Sequence, residues 1–204
     1  MTLPAPKLTS LCAFCGSQPG LDPVYAIEAT RLAQDMAGHG TALVFGGGRV
    51  GLMGVLADTV LAGGGKVIGV IPTFLRDKEL AHRAATEMLV VPDMHTRKRM
   101  MFERSDAFVI LPGGVGTMDE MLEIITWRQL HLHNKPIIIL NTQGYWDPLL
   151  QLLAGTIKAG FAHPGHENLI TVVAHAADVI PTAEAELAAP KLPVSFKVSA
   201  PKEA

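Results

Sequence analysis

The chain alternates short apolar runs with longer amphipathic runs, and this alternation limits its fold more than any other feature. In the short runs the apolar positions are nearly continuous rather than every second residue, which is typical of parallel strands covered on both faces. The predicted strands are 8–14, 42–45, 66–71, 88–91, 107–111, 136–140 and 169–173.

The longer runs have helical spacing and predict helices at 23–37, 51–61, 97–104, 117–132 and 146–159. Strands that alternate with helices imply right-handed crossovers, so we expect an α/β, Rossmann-like, doubly wound fold with a mostly parallel sheet and helices on both faces. With 204 residues, 49% of them hydrophobic, the chain can bury a sizeable core. We predict a single domain over 1–189 and a mobile C-terminal tail over 190–204, where three prolines occur.

The composition argues against two broad classes of partner. Seventeen Lys and Arg against 19 Asp and Glu give a net charge of −2, which provides no basic surface for nucleic acid. No apolar run approaches the roughly 20 residues that cross a bilayer, and the first residues lack the pattern of a secretory signal. We therefore predict a cytoplasmic protein that binds neither nucleic acid nor membrane and must hold any anionic ligand in a local site.

The histidines do not predict a metal site. His131 and His133 lie two apart at the end of a predicted helix and therefore face apart. His163 and His166 flank Pro-Gly in a loop, and neither pair provides three or four converging ligands. We assign no metal.

The two cysteines form a C-x-x-C motif, which raises the question of a redox pair. Such a pair normally lies where a helix begins after a strand. Cys12 instead lies inside a predicted strand, and residues three apart in a strand face opposite sides, so a disulfide to Cys15 would require distortion. We predict two free thiols.

Turn-forming residues follow four predicted strands. The turns begin at Gly16, Gly46, Pro72 and Pro112. Because ligands bind at the carboxyl ends of the strands in doubly wound sheets, we expect the functional site at this edge.

The turn from Gly46 to Gly51 matches G-x-G-x-x-G, the dinucleotide fingerprint. It follows the second predicted strand rather than the first, and the next strand ends at Pro72 without an acidic residue to bind a ribose. The turn therefore fits two interpretations, a phosphate-binding loop and a tight turn that allows a helix to pack closely. The 63–65 glycine run lacks the spacing of a Walker loop and is predicted to end a helix.

The segment from Pro112 to Gly116 is more informative. It follows a predicted strand and opens into a helix predicted to begin near Thr117. Glycines allow backbone N–H groups to approach an anion, and a helix start adds the positive end of a dipole. The loop predicts a phosphate site.

The residues from Thr117 to Glu120 also have the spacing of a capping box, in which Glu120 only accepts a hydrogen bond from the Thr117 N–H. This structural interpretation competes with a functional one. Asp119 and Glu120 adjoin the phosphate loop, and Glu123 lies one turn beyond Glu120 on the same face. These carboxylates would repel a phosphate unless they face past it, toward a sugar or a base.

A basic segment at 97–99 follows a predicted strand end. Helical spacing places Arg97 on one face with Met100, Met101 and Arg104, which predicts a half-buried guanidinium. Such a group needs an anionic partner, either a protein carboxylate or a ligand phosphate.

Several segments taken together resemble a known family. They are CGS at 15–17, FGGGRVGLMG at 45–54, MHTRK at 94–98, PGGVGTMDE at 112–120, EIITW at 123–127 and KP at 135–136. In this order they are similar to the Lonely-guy (LOG) phosphoribohydrolases, and the likeness extends from Leu8 to Val173. The motifs M-H-x-R-K and P-G-G-x-G-T-x-x-E are specific to that family.

The resemblance implies an enzyme that needs no cofactor and hydrolyses the N-glycosidic bond of cytokinin riboside 5′-monophosphates, often also AMP, to the free base and ribose 5-phosphate. It implies Arg97 and Glu120 as the catalytic pair. The residues implied to bind this nucleotide are Ser17, Gly47, Met94, Lys98, Gly113, Gly114, Gly116, Thr117 and Glu123. Position 119 holds Asp where many members carry Glu, a change that is not expected to matter.

Two other functions are considered. Proteins similar in fold bind the molybdenum cofactor through related glycine turns, so a non-catalytic carrier of that cofactor or of a nucleotide is the main alternative. The presence of both Arg97 and Glu120 favours the enzyme. Many members of the family were labelled lysine decarboxylases in error; a pyridoxal enzyme needs a Schiff-base Lys with an acidic partner for the ring nitrogen, and neither Lys66 nor Lys98 has such surroundings in sequence.

The predicted helix at 117–132 also suggests a homodimer. Its apolar stripe is formed by Met118, Met121, Leu122 and Ile125, and it is widened by Ile124 and Trp127. Since one sheet covers only one such stripe, the remainder is expected to contact a partner subunit. The short C-terminal region also resembles that of the dimeric members.

Overall fold

The computed structural model describes residues 7–76 and 81–190, which build one seven-stranded sheet. The strands are β1 (Ser10–Phe14), β2 (Ala42–Phe45), β3 (Val67–Pro72), β4 (Glu87–Val91), β5 (Ala107–Ile110), β6 (Ile137–Leu140) and β7 (Thr171–Val173). Their order in the sheet is β4-β3-β2-β1-β5-β6-β7, and every neighbouring pair is parallel. Most of the predicted tail, residues 191–204, lies outside the described residues.

Helices cover both faces of the sheet. They are α1 (Val24–His39), α2 (Gly51–Ala62), α3 (Thr73–Arg76), α4 (Met94–Glu103), α5 (Val115–Gln129), α6 (Asp147–Lys158) and α7 (Val179–Ala188). Short 3-10 turns lie at Thr142–Gly144, His166–Leu169 and Ala176–Asp178. None of the helices within the described ranges is long and apolar enough to cross a membrane.

Strand β1 shows why the apolar runs are nearly continuous. Leu11 and Ala13 pack into a core with residues of α1, α2 and α7, whereas Cys12 and Phe14 pack into a second core with residues of α4 and α5. Each position of a central strand is therefore buried on one face or the other, and burial of a large apolar side chain contributes roughly 1.5–3 kcal/mol. The expected α/β doubly wound fold is confirmed.

The order of the strands creates the crevice that holds the site. After β1 the chain adds β2, β3 and β4 toward one edge and then returns to place β5 on the other side of β1. The loops that leave β1 and β5 start side by side, and the Gly16 N–H donates to the Pro112 carbonyl at 3.0 Å. Such a switch point, outside the carboxyl ends of two strands, is where doubly wound folds bind ligands.

All seven predicted strands are confirmed, with ends that differ by no more than two residues. Two helix starts and one helix end are wrong: α4 begins at Met94 rather than Arg97, and α5 begins at Val115 rather than Thr117 and ends at Gln129 rather than Leu132. Helices α3 and α7 were not predicted. The 63–65 glycine run ends α2, as predicted, with Gly64 in the left-handed region at φ +76°.

Both cysteines are free and buried, which confirms the prediction of two thiols. Cys12 lies in the core beneath α4 and α5, whereas Cys15 lies in the core on the other face of the sheet. Burial raises the pKa of both groups, so both are protonated thiols at neutral pH.

Candidate active site

Helix α4 delivers Arg97 to the carboxyl edge of the sheet. The helix begins after Asp93, whose carboxylate accepts a hydrogen bond from the Thr96 N–H at 2.7 Å and so caps its first turn. Arg97 is therefore inside the helix, and its Nε donates to the Val70 carbonyl of β3 at 3.2 Å. The guanidinium lies against Gly46, where an added Cβ would stand 1.9 Å from Nη2. Only glycine permits this approach.

Helix α5 brings Glu120 to the same point. Arg97 Nη1 donates to Glu120 Oε1 at 2.7 Å, and each residue is only 8% exposed. The capping-box interpretation of Glu120 is wrong, because Gly114 is the N-cap of α5 and Thr117 lies within its first turn. The anionic partner expected for Arg97 is thus a protein carboxylate, held by a short, charge-assisted hydrogen bond.

Burial and the Arg97 guanidinium have opposite effects on the pKa of the Glu120 carboxyl. Burial raises the pKa of the Glu120 carboxyl, and the Arg97 guanidinium partly offsets this rise. Within residues 7–76 and 81–190, Arg97 is the one hydrogen-bond partner of this carboxylate, through Oε1. Oε2 is therefore available to a ligand or a water molecule.

The pair forms part of the wall of a cavity of about 340 Å³. Its lining comes from the ends of β1 and β2 and from α2, α3, α4 and α5: Ala13, Cys15, Ser17, Gly46, Met53, Leu75, Met94, Arg97, Gly114, Val115, Gly116, Thr117, Asp119 and Glu120. The cavity is thus lined both by the ion pair and by the first turn of α5.

The start of α5 has the properties of an anion site. Gly114 provides no side-chain cap, so the first-turn N–H groups are left for a ligand or solvent. Gly113 is packed so closely that an added Cβ would stand 2.2 Å from Thr117 Oγ1 and 2.8 Å from the Gly16 nitrogen. The loop is therefore held tightly against both the β1 loop and its own helix.

A second cavity of about 250 Å³ lies beside the same loop. Its lining is Gly16, Ser17, Gln18, Pro19, Gly20, Tyr25, Leu52, Pro112, Gly113, Gly114 and Tyr145. Ser17 and Gly114 line both cavities, so the two spaces adjoin at the phosphate loop.

Most residues that the sequence assigns to the site come together here. Seven of them line the larger cavity: Ser17, Met94, Arg97, Gly114, Gly116, Thr117 and Glu120. Gly113 lines the smaller one. Gly47, Lys98 and Glu123 line neither cavity; Gly47 instead packs against β3 and Met88, and its carbonyl accepts a hydrogen bond from the His82 N–H.

Lys98 joins α4 to α5. Its Nζ lies 3.2 Å from Asp119 Oδ2 and 3.1 Å from Glu123 Oε2. Although burial alone would lower the pKa of Lys98, the hydrogen bonds to Glu123 and Asp119 raise it. The two helices that carry Arg97 and Glu120 are thus connected by a second, more exposed group of charges.

Several cavity residues were missed by the sequence reasoning. Gly46 was predicted as a turn at the carboxyl edge of the sheet but not as a site residue, and Cys15, directly after β1, could have been indicated by the same convergence of strand ends. Tyr145 carries no such signal, since it belongs to a turn after β6 and reaches the loop only through the fold. No group of three or more His, Cys, Asp or Glu side chains in the described ranges could hold a metal ion.

Comparison with known proteins gives two kinds of similarity. The family described as "Possible lysine decarboxylase" matches residues 53–183. The probable cytokinin riboside 5′-monophosphate phosphoribohydrolase LOGL5 of Oryza sativa subsp. japonica is 42% identical over 176 residues, which is 86% of this chain and 72% of that protein. The cytokinin riboside 5′-monophosphate phosphoribohydrolase LOG5 of Arabidopsis thaliana is 40% identical over 179 residues, 88% of this chain and 78% of that protein.

Solved structures share the fold at lower identity. The molybdenum cofactor carrier protein of Chlamydomonas reinhardtii superposes with a TM-score of 0.66 at 22% identity, covering 88% of this chain and 98% of that one. The molybdenum cofactor binding protein of Rippkaea orientalis gives a TM-score of 0.65 at 20% identity, covering 87% and 96%. At this identity the likeness concerns the fold alone.

Proposed function

Since this chain belongs to the Lonely-guy (LOG) family of phosphoribohydrolases, we propose that the cavity lined by Arg97 and Glu120 is the active site. There the N-glycosidic bond of cytokinin riboside 5′-monophosphates, AMP or both is hydrolysed. Water and the nucleotide are converted to free base and ribose 5-phosphate. The observation that carries this proposal is the buried Arg97–Glu120 pair in a cavity that also contains the uncapped start of α5.

The phosphate group is bound at the start of α5. The backbone N–H groups of the first turn and the Thr117 hydroxyl supply hydrogen bonds, and the helix dipole favours the negative charge. This places the phosphate on one side of the cavity and leaves the carboxylate of Glu120 for the sugar. The repulsion between phosphate and carboxylate that the sequence raised is thereby avoided.

Glu120 acts on the bond that breaks. As the C1′–N bond lengthens, the ribose ring gains positive charge, and a fixed carboxylate stabilises this oxocarbenium-like state. Oε2 also accepts a hydrogen bond from the attacking water and takes up its proton as the water oxygen bonds to C1′. The base leaves with the electron pair of the C1′–N bond and takes up a proton from solvent, and Glu120 returns its own proton to solvent. One preorganised contact of this kind is worth roughly 3–4 kcal/mol, or about 10²–10³ in rate.

Arg97 holds this carboxylate in place. Its guanidinium is fixed by the Val70 carbonyl and by the close contact at Gly46, so the Oε1 of Glu120 has one defined position. The guanidinium also offsets part of the rise that burial causes in the pKa of the Glu120 carboxyl. Asp119 and Glu123 engage Lys98, which neutralises part of the acidic charge near the substrate.

The decarboxylase description of the family does not suit Lys98. A Schiff-base lysine must lose its proton to attack a carbonyl. Lys98 instead pairs with two carboxylates, and the resulting rise in its pKa stabilises the ammonium form.

A comparison of AMP with adenosine tests the phosphate site. We expect adenosine to be hydrolysed with a kcat/KM at least about 10² lower, because it lacks the group that positions the ribose. Base release is followed by chromatography over a range of substrate concentrations. Comparable turnover of the two would contradict the proposed role of the loop, and tight nucleotide binding without base release would favour the carrier function instead.

The same proposal includes a cytoplasmic homodimer. Leu122 on α5 and Leu130 and Leu132 just after it are 40%, 56% and 67% exposed, which supports a partner on this side of the helix. Two unpaired thiols suit a reducing compartment. Size-exclusion chromatography with light scattering should give twice the mass of the chain; the mass of one chain would refute the dimer.

A further inference from the structure

The turn after β6 sends one side chain back to the phosphate loop. The Tyr145 hydroxyl donates to the Gly113 carbonyl at 2.7 Å. Tyr145 lines the smaller cavity, whereas the Arg97–Glu120 pair lines the larger one, so the two contact the loop from different cavities. This contact takes no direct part in the proposed hydrolysis.

The contact fixes the orientation of one peptide plane. The peptide bond between Gly113 and Gly114 is trans, so its carbonyl and its N–H face opposite directions. With the carbonyl held on the side of Tyr145, the Gly114 N–H faces away from Tyr145, and Gly114 also lines the larger cavity. That N–H belongs to the N-cap residue of α5 and adds a donor to the first turn.

A peptide between two glycines needs such an anchor. Glycine reaches both signs of φ with little steric cost, so a Gly-Gly peptide plane can rotate through half a turn more easily than any other. The reversed plane would direct a carbonyl oxygen at the phosphate instead of an N–H. The hydroxyl of Tyr145 favours one of the two orientations.

The turn that carries Tyr145 is itself rigidly held. Gln143 and Gly144 are in the left-handed region, at φ +52° and +73°, and the former is unusual for a residue with a Cβ. Asn141 holds the turn at both ends: its Oδ1 accepts from the Trp146 N–H at 2.7 Å, and its Nδ2 donates to Asp147 at 2.7 Å.

Aromatic contacts fix the ring as well. Tyr145 packs edge to face on Tyr25, with centroids 5.7 Å apart, and on Trp146, with centroids 4.9 Å apart. The ring is 39% exposed, but these two neighbours hold it in the position from which its hydroxyl reaches Gly113.

We propose that Tyr145 is a positioning residue that locks the Gly113–Gly114 peptide with its N–H toward the substrate phosphate. It contacts neither the sugar nor the base and acts only through the loop. This inference rests on the proposed hydrolysis of a nucleoside monophosphate. It also predicts that the hydroxyl of Tyr145 strengthens the binding of a phosphorylated ligand that is not hydrolysed, so it can be tested without the reaction.

The variant Tyr145→Phe removes the hydroxyl and keeps the ring. We expect the KM for AMP and the dissociation constant of ribose 5-phosphate to rise roughly tenfold, because one donor to a charged group is lost. The kcat for AMP should change much less, and the slow hydrolysis of adenosine should not change. The control Thr30→Val also removes a side-chain hydrogen bond to a carbonyl, that of Ala26 within α1, and should leave all four quantities unaltered.

The outcomes separate this inference from the hydrolysis itself. If wild-type protein binds ribose 5-phosphate but releases no base from AMP, the hydrolysis fails, and the change in affinity still tests Tyr145. If the variant binds ribose 5-phosphate as tightly as the wild type, the inference is overturned. It is equally overturned if Tyr145→Phe lowers the activity toward AMP and adenosine by the same factor, or if it lowers only the melting temperature.

Discussion

Helix α5 contributes to two buried Arg–Glu pairs, one beyond the carboxyl ends of the strands and one beyond their amino ends. Near its start, Glu120 accepts from Arg97 at 2.7 Å. Near its end, Arg128 lies 3.6 Å from Glu186 of α7. The residue types are the same and both pairs are buried, yet their surroundings differ.

The Arg128–Glu186 pair belongs to the interior of the scaffold. Arg128 is 1% exposed and also donates to the Leu169 carbonyl at 3.0 Å, while Glu186 accepts a hydrogen bond from the Thr171 hydroxyl of β7. The pair joins α5, α7 and the start of β7 at the amino edge of the sheet. Each ion thus also makes a hydrogen bond to a protein group other than its partner in the pair.

The Arg97–Glu120 pair is arranged differently. Protein groups hold Arg97 on the side of β3, but the pair lines a cavity, and one oxygen of Glu120 is available to that cavity. The difference teaches that burial and pairing alone do not distinguish a catalytic carboxylate from a structural one. What distinguishes the Arg97–Glu120 pair is its carboxylate in the wall of a cavity, next to a helix start where an anion can bind.

The largest effect is expected from breaking the scaffold pair. Arg128→Met leaves Glu186 buried without its cation, which should lower the free energy of unfolding by about 3–5 kcal/mol. The double variant Arg128→Met/Glu186→Leu should recover most of this loss, because no lone charge remains. Urea unfolding measures both, and kcat of the folded variants should stay near the wild-type value. A loss of kcat without a loss of stability would show that the Arg128–Glu186 pair serves catalysis rather than the scaffold.

The opposite pattern is expected at the other pair. Glu120→Gln preserves an oxygen that can accept from Arg97 but removes the charge, so kcat should fall by about 10²–10³ while ribose 5-phosphate binding is retained. Glu186→Gln is the matched control and should keep its kcat. Steady-state base release and binding of the product measure these effects. An active Glu120→Gln enzyme would show that Glu120 only supports the helix.

A smaller effect concerns pH. Burial raises the pKa of Glu120 despite the nearby guanidinium. The ionised form is the active one, so kcat/KM should decrease as the pH falls through a value above that of an ordinary glutamate, about 4.3. The Glu186→Gln variant should show the same acid limb. If kcat/KM decreases only at or below the ordinary pKa of a glutamate, the charge of Arg97 outweighs burial in its effect on the pKa of Glu120.

Much of this arrangement could be predicted from the sequence, because parallel strands and glycine turns leave local patterns. The sheet, the crevice and the phosphate loop follow from such patterns. Two helix starts did not, although Asp93 is a capping residue in the sequence itself. Helix α7 was missed because it contains Pro181, which is tolerated only in a first turn, where its missing N–H has no helical acceptor. The domain boundary at 189 stays a prediction.

The pairing itself could not be predicted from spacing. Arg97 and Glu120 lie on different helices, 23 residues apart, and neither periodicity nor capping rules relate them. Only the family resemblance linked them. The same limit applies to Tyr145, which reaches Gly113 across 32 residues and two elements of the fold.

The most direct test is to incubate the purified wild-type protein with AMP and, separately, with isopentenyladenosine monophosphate, and to quantify base and ribose 5-phosphate. The proposed function predicts that at least one nucleotide yields free base and ribose 5-phosphate in equal amounts. Recovery of both nucleotides intact, even where they bind tightly, would contradict it.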